Sequence, residues 1–120
     1  MSLNLDASPE AQKASIILAI QEEYKYKDVI TNPFYSVVVN MREPSYRKRL
    51  YLLDSDANII SSHHVAHGSG SEDKKKPGYA NSFSNIEDSH KSSLGAMITA
   101  ETYSGKHGYS LRLVGLEKDI

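Results

Sequence analysis

His63 and His67 stand four residues apart in IISSHHVAHG (59–68), and the chain carries five histidines in 120 residues. In an extended strand these two would share a face, with His64 pointing the other way. Zinc needs three or four ligands converging at about 2 Å. The nearest acids, Glu72 and Asp73, fall in a stretch rich in glycine, serine and lysine. A histidine hydrogen-bonded in the wall of a cleft fits this setting better than a metal ligand, so no metal and no cofactor is expected. Ser71-Glu72-Asp73-Lys74 has the S-x-x-K spacing of serine acyl-enzymes, which works because one helical turn brings the amine to the hydroxyl. Its surroundings favour a loop over such a turn. Gly68-Ser69-Gly70-Ser71 lacks the lysine-serine ending and helix start of a phosphate-cradling loop. Ser92-Ser93-Leu94-Gly95 and Gly105-Lys106-His107-Gly108 are more informative, because small residues let a backbone approach a ligand or a neighbouring strand closely.

The elements that must position these residues read as follows. SPEAQKASIILAIQEEYKYK (8–27) has the marks of a helix: Ser8 as cap, Pro9 in the first position and Glu10 at the positive end of the dipole. Helical spacing gathers Ile16, Ile17, Ile20 and Tyr24 on one face, with Glu22 and Lys25 opposite and Leu18 out of pattern. Asn32-Pro33 breaks the chain after it. FYSVVVN (34–40) and RLYLLD (49–54) have strand composition. Ser55-Asp56-Ala57-Asn58 is a turn, so RLYLLD and 59–68 should pair as a hairpin. Residues 68–82 hold almost no large apolar side chains and read as a long mobile loop. GAMITAETY (95–103) and YSLRLVGL (109–116) read as strands about the connection 104–108. The expected architecture is one domain over 1–120, of class α+β and mainly β: a helix followed by an antiparallel sheet or sandwich over 34–116.

Composition bounds what such a domain does. Hydrophobic residues make up 39% and charged residues 24%, which is ordinary for a globular domain. At this length roughly 65% of the unfolded chain's surface can be buried, enough for one modest core. The net charge of −1 supplies no field to hold nucleic acid or an anionic membrane. Local basic clusters at Arg42, Arg47, Lys48 and Arg49 and at Lys74, Lys75 and Lys76 read as solvated loop. No apolar run approaches the ~20 residues of a membrane span, and no signal peptide is legible at the N-terminus. The absence of cysteine excludes disulfides, thiolate zinc sites and a cysteine nucleophile within these residues.

VAHGSGS (65–71), FSN (83–85), SHKSSLG (89–95) and TAETYSGKHGYSLRLVGLE (99–117), with ITNPFYSVVVNMREPSYRKRLYLLD (30–54) upstream, resemble the murein L,D-transpeptidase catalytic domain, the YkuD-like group. The resemblance covers roughly residues 12–117. It implies a peptidoglycan-remodelling fold in which a cysteine thiolate attacks a donor peptide stem, a histidine manages its proton and nearby donors hold the oxyanion. In that family the histidine-glycine and serine-x-glycine-cysteine segments follow the GLE word, and this sequence stops before both. His107 matches a family histidine other than the catalytic base, so no residue takes the role of nucleophile or base. The expectation is an incomplete L,D-transpeptidase-like domain, acting as a structural or binding module at the cell wall or periplasm or in a phage particle. The alternatives are a fragment or split half of an active enzyme, and an enzyme using a serine or Lys106 instead. As partners the resemblance implies peptidoglycan, or a protein or second copy covering an open C-terminal edge. The ligand-binding candidates beside loop 68–82 are His67, Ser92, Ser93, Tyr103, Lys106 and His107, with lysine meeting carboxylates and tyrosine meeting sugar faces.

Overall fold

Ser8 sets the first element. Its backbone is extended and its hydroxyl accepts the Ala11 N–H, so helix α1 runs over Pro9–Lys25 with proline in its first turn and Lys25 in its last. The computed structural model describes residues 7–116 except Pro33, Glu87, Lys106 and His107. At Ala100, Glu101, Tyr103, Gly105, Tyr109, Ser110 and Arg112 it describes the backbone alone. The helix forms where the sequence predicts, but it turns a different face inward. Ser15 and Ala19 are buried, with Ala11 and Ile16 packed beside the core, whereas Ile17, Ile20 and Tyr24 are exposed. Of the expected apolar stripe Ile17, Ile20 and Tyr24 therefore face outward, while Ile16 packs beside the core with the small residues Ala11, Ser15 and Ala19. The Ser15 hydroxyl donates to Ala11 O at 2.8 Å, which satisfies that buried polar group.

Against α1 lies an antiparallel sheet of β1 (Tyr35–Val39), β2 (Leu50–Asp54) and β3 (Ile59–His63), in the order β1-β2-β3. Its register pairs Val38 with Tyr51 and Ser36 with Leu53 on the inner face, and Val37 with Leu52 on the outer one. Two-residue alternation thus sends Tyr51 and Leu53 into the core, where each is 1% exposed. Among the described residues the core is small: Ala7, Ala19, Val38, Tyr51 and Leu53. Burial of a Leu or Val side chain contributes about 2 kcal/mol. The expected β2–β3 hairpin is present. Asp54 closes it, with Oδ1 accepting the N–H groups of Asp56 and Asn58 at 2.9 Å each, and these contacts hold its carboxyl below the ordinary range, the Asn58 N–H most of all. Ala57 takes φ 62° at the turn, and the register slips between Leu52 and Leu53 to absorb one extra residue of β3.

The second sheet is a hairpin of β4 (Met97–Gly105) and β5 (Gly108–Gly115), with a register shift between Thr99 and Thr102. Among the described residues no other helix or strand packs against it. Over the described residues the chain is therefore α+β: one α-helix, then antiparallel strands in a three-stranded and a two-stranded sheet.

The stretch 68–82, which its composition marks as a mobile loop, is tied down at several points. Ser69–Ser71 form a single 3-10 turn, Glu72 bridges Ala80, and Ser71 is wholly buried.

Candidate functional site

The 68–82 stretch is ordered around a buried cation. Arg49 precedes β2 and shares the inward-facing parity of Tyr51 and Leu53, and it is 0% exposed. Its guanidinium donates to Glu43 O at 2.9 Å, twice to Val65 O at 3.1 and 2.8 Å, and to His67 Nδ1 at 2.9 Å. Burial lowers its pKa, and the charge of Glu72 partly opposes that shift. A guanidinium has no acceptor, so His67 Nδ1 must carry the lone pair and its proton must sit on Nε2. That Nε2–H faces Glu72 Oε1 at 2.6 Å. The other Glu72 oxygen accepts the Gly78 N–H at 3.2 Å. The Glu72 carboxyl is consequently held below the ordinary value, first by His67, then by the Gly78 N–H, with the Arg49 charge adding to both. Arg49, His67 and Glu72 form one line of hydrogen bonds that fixes the imidazole tautomer and binds the 65–80 segment to the start of β2.

A lattice of small residues adjoins this line. The Ser71 hydroxyl accepts the Ser92 N–H at 2.8 Å, and the Ser92 hydroxyl accepts the Gly68 N–H at 2.8 Å. Ser93 donates to Ser84 O at 3.1 Å, and Ser84 N–H to Ser92 O at 3.1 Å. Gly70 N–H reaches His90 O at 2.7 Å. The approach is close enough that a Cβ on Gly68 would lie 2.2 Å from His90 O and one on Gly70 2.7 Å from Ser89 O. GSGS is therefore a packing segment, and the S-x-x-K spacing is not assembled as a pair: Ser71 is enclosed, while Lys74 is exposed.

Of the six ligand-binding candidates, the structure brings three together. His67 lies in the line with its side chain 5% exposed, and Ser92 and Ser93 lie in the lattice beside it. Tyr103 stands on β4 opposite Ser110, its side chain outside the described atoms. Lys106 and His107 lie outside the described residues. His63 and His67 share no strand face, because β3 ends at His63. The histidines instead engage separately: His63 Nε2 meets Ser61 Oγ at 2.9 Å, and His64 Nε2 meets Tyr46 O at 3.3 Å. Among the described residues no group of three or more side chains is placed to hold a metal. Sequence reasoning missed Arg49 and Glu72 as partners of His67. The signal was present at Arg49, a charge at an inward position of an alternating strand, which must be matched by buried acceptors.

A family model described as the L,D-transpeptidase catalytic domain matches residues 7–120. No curated protein and no solved structure matches the chain.

Proposed function

Because the chain belongs to the L,D-transpeptidase catalytic domain family, we propose that it supplies the β-scaffold of such a domain and works as a binding or structural module on peptidoglycan, at the cell wall or in a phage particle. One juxtaposition carries this reading: the match spans residues 7–120, yet those residues hold no cysteine. They therefore provide the fold and the wall-facing surface, while a thiol, where the domain uses one, is contributed from elsewhere. The surface is centred on the 68–82 segment and the β4–β5 connection. In it His67, Ser92 and Ser93 act as supports, their polar atoms being engaged internally. Tyr103, Lys106 and His107 are the groups we assign to ligand contact.

Purified sacculi should retain the chain in a sedimentation assay, and a Lys106→Ala, His107→Ala double variant should be retained severalfold less. Equal retention of the two removes this surface from the reading. Incubation with a carbapenem followed by intact-mass spectrometry should give no adduct, whereas an adduct on any residue defeats the non-acylating role.

A second reading makes the chain one half of an active transpeptidase whose cysteine-bearing part lies in other residues or another polypeptide. The β4–β5 hairpin favours it. No other described element packs on that hairpin, and Met97, Leu111, Leu113 and Val114 stand exposed on it, the condition in which a strand pair recruits a covering partner or a second copy. Light scattering on the purified chain decides between the readings. A soluble, cooperatively folding monomer speaks against the second, and an obligate oligomer or complex speaks for it.

A further inference from the structure

Tyr46 and Tyr79 form a corner on the surface, well away from β4 and β5 in sequence. Their rings meet edge to face, with centroids 6.3 Å apart and planes at 81°. A cavity of about 330 Å³ opens beside them, walled by Pro9, Glu43, Pro44, Tyr46, Arg47 and Tyr79. The Tyr46 phenol, hydrogen-bonded to Tyr79, is pushed above its ordinary value. Cations sit over both rings: Arg47 at 6.0 Å from the Tyr46 centroid and Lys76 at 4.6 Å from that of Tyr79.

The two walls are held by the buried line described above. Arg49 donates to the carbonyl of Glu43 on one side, and Glu72 accepts the N–H of Gly78, next to Tyr79, on the other. Ser45 N–H joins the walls by donating to Gly78 O at 2.7 Å, and Arg47 N–H closes the 44–47 turn on Pro44 O at 3.0 Å. Gly78 lies so close beneath the Tyr46 ring that a Cβ there would be 3.0 Å from Cδ2. Desolvating an arginine is costly unless its hydrogen bonds are complete. Here four hydrogen bonds hold the guanidinium and help fix two surface turns that carry aromatic rings.

From this geometry we propose that the groove is a saccharide-binding subsite, with Tyr46 and Tyr79 as its platform and Glu43 and Arg47 as its polar contacts. The chemistry of the walls selects the class. A carboxylate and a guanidinium together on the 43–47 wall disfavour a strongly anionic or strongly cationic ligand alike. Tyrosine presents an apolar body with a polar tip. A neutral sugar offers matching C–H faces, hydroxyl donors for an acceptor-only carboxylate and oxygen acceptors for a donor-only guanidinium. The volume lies at the small end of ligand pockets, which suits one or two rings of a chain passing through an open groove. Walls fixed in advance reduce the ordering lost on binding. The proposal rests on the wall-binding reading, in that it names the part of the polymer this chain would hold.

The test is a calorimetric or NMR titration of the full chain with the tetramer of N-acetylglucosamine, run beside the sacculus assay. Binding at about 1 mM or tighter is expected, weakened at least ~10-fold in Tyr79→Ala and in Tyr46→Ala, each checked for an unchanged melting profile. Glu72→Gln should weaken it by a smaller factor, because Glu72 positions Gly78 without touching the sugar. Absence of saturable binding up to ~10 mM overturns the proposal. So does binding that both tyrosine variants leave unchanged, or saturable binding of a short stem peptide at Tyr46 and Tyr79 with no binding of the tetramer there. Sacculi retained while the tetramer is ignored sink the subsite and leave the wall-binding reading standing. Tetramer bound at the tyrosines without sacculus retention does the reverse.

Discussion

At the scale of single residues, Glu72 ties a charge network to stability. Its carboxyl titrates below the ordinary value of 4.5 in the folded chain, first because of the His67 hydrogen bond. A depressed folded value means that the contribution is complete above about pH 4.5 and is lost as pH falls through the lower, folded value. Glu72→Gln should therefore lower the melting temperature at neutral pH and flatten its decline in acid, as measured by melting between about pH 3 and pH 6. Part of the acid limb should survive in that variant, because Asp54 is held low independently by Asn58 and Asp56. Glycines provide a second test. Gly68 has an ordinary φ of −61°, so alanine is objectionable there only for the carbonyl that its Cβ would meet at 2.2 Å. Gly68→Ala should cost about 3 kcal/mol or more. Gly108 has φ +96° and open space around it, so Gly108→Ala should cost only the backbone strain, about 1–2 kcal/mol. Denaturant unfolding of the two variants gives the comparison directly.

At the scale of elements, α1 separates two ways of reading one helix. Isoleucine and tyrosine spacing predicts an inward stripe of Ile16, Ile17, Ile20 and Tyr24, while the structure buries Ser15 and Ala19. Small residues allow close approach of helix and sheet, and the short β1 strand presents Val38 to them. Ile20, 50% exposed, should therefore tolerate Lys within about 0.5 kcal/mol. Ala19→Leu should cost about 1–3 kcal/mol, since Ala19 is 8% exposed and the added methylenes have nowhere to go. The opposite ranking would restore the stripe as the buried face. The helix limits, the three strands of the first sheet and the hairpin turn at 55–58 were all legible, because caps, prolines and two-residue alternation act over a few residues. The inward face of α1 was not, because it depends on which surface lies opposite, and apolarity alone does not encode that. The order within 68–82 was illegible for a related reason: its contacts run to Arg49, Ser92 and His90, many residues away.

At the scale of the whole molecule, the two sheets differ in support. The first is covered by α1 and anchored by Tyr51, Leu53 and Arg49, whereas β4 and β5 pair only with each other among the described residues. A two-stranded hairpin is marginal without a covering layer. Hydrogen exchange should therefore show the amides of β4 and β5 opening well before those of β2, unless a partner or second copy is bound. Protection of both sheets to the same free energy in a monomer would refute that division. The sequence by itself determined what local chemistry can determine: one helix, antiparallel strands, the absence of a thiol and membership in a recognisable family of words. Only the tertiary structure decided that His67 is enclosed between Arg49 and Glu72, that the GSGS segment is a packing surface, and that two tyrosines from distant turns share a groove. Those outcomes rest on contacts between residues far apart in the chain, and on a buried cation whose acceptors no local pattern names.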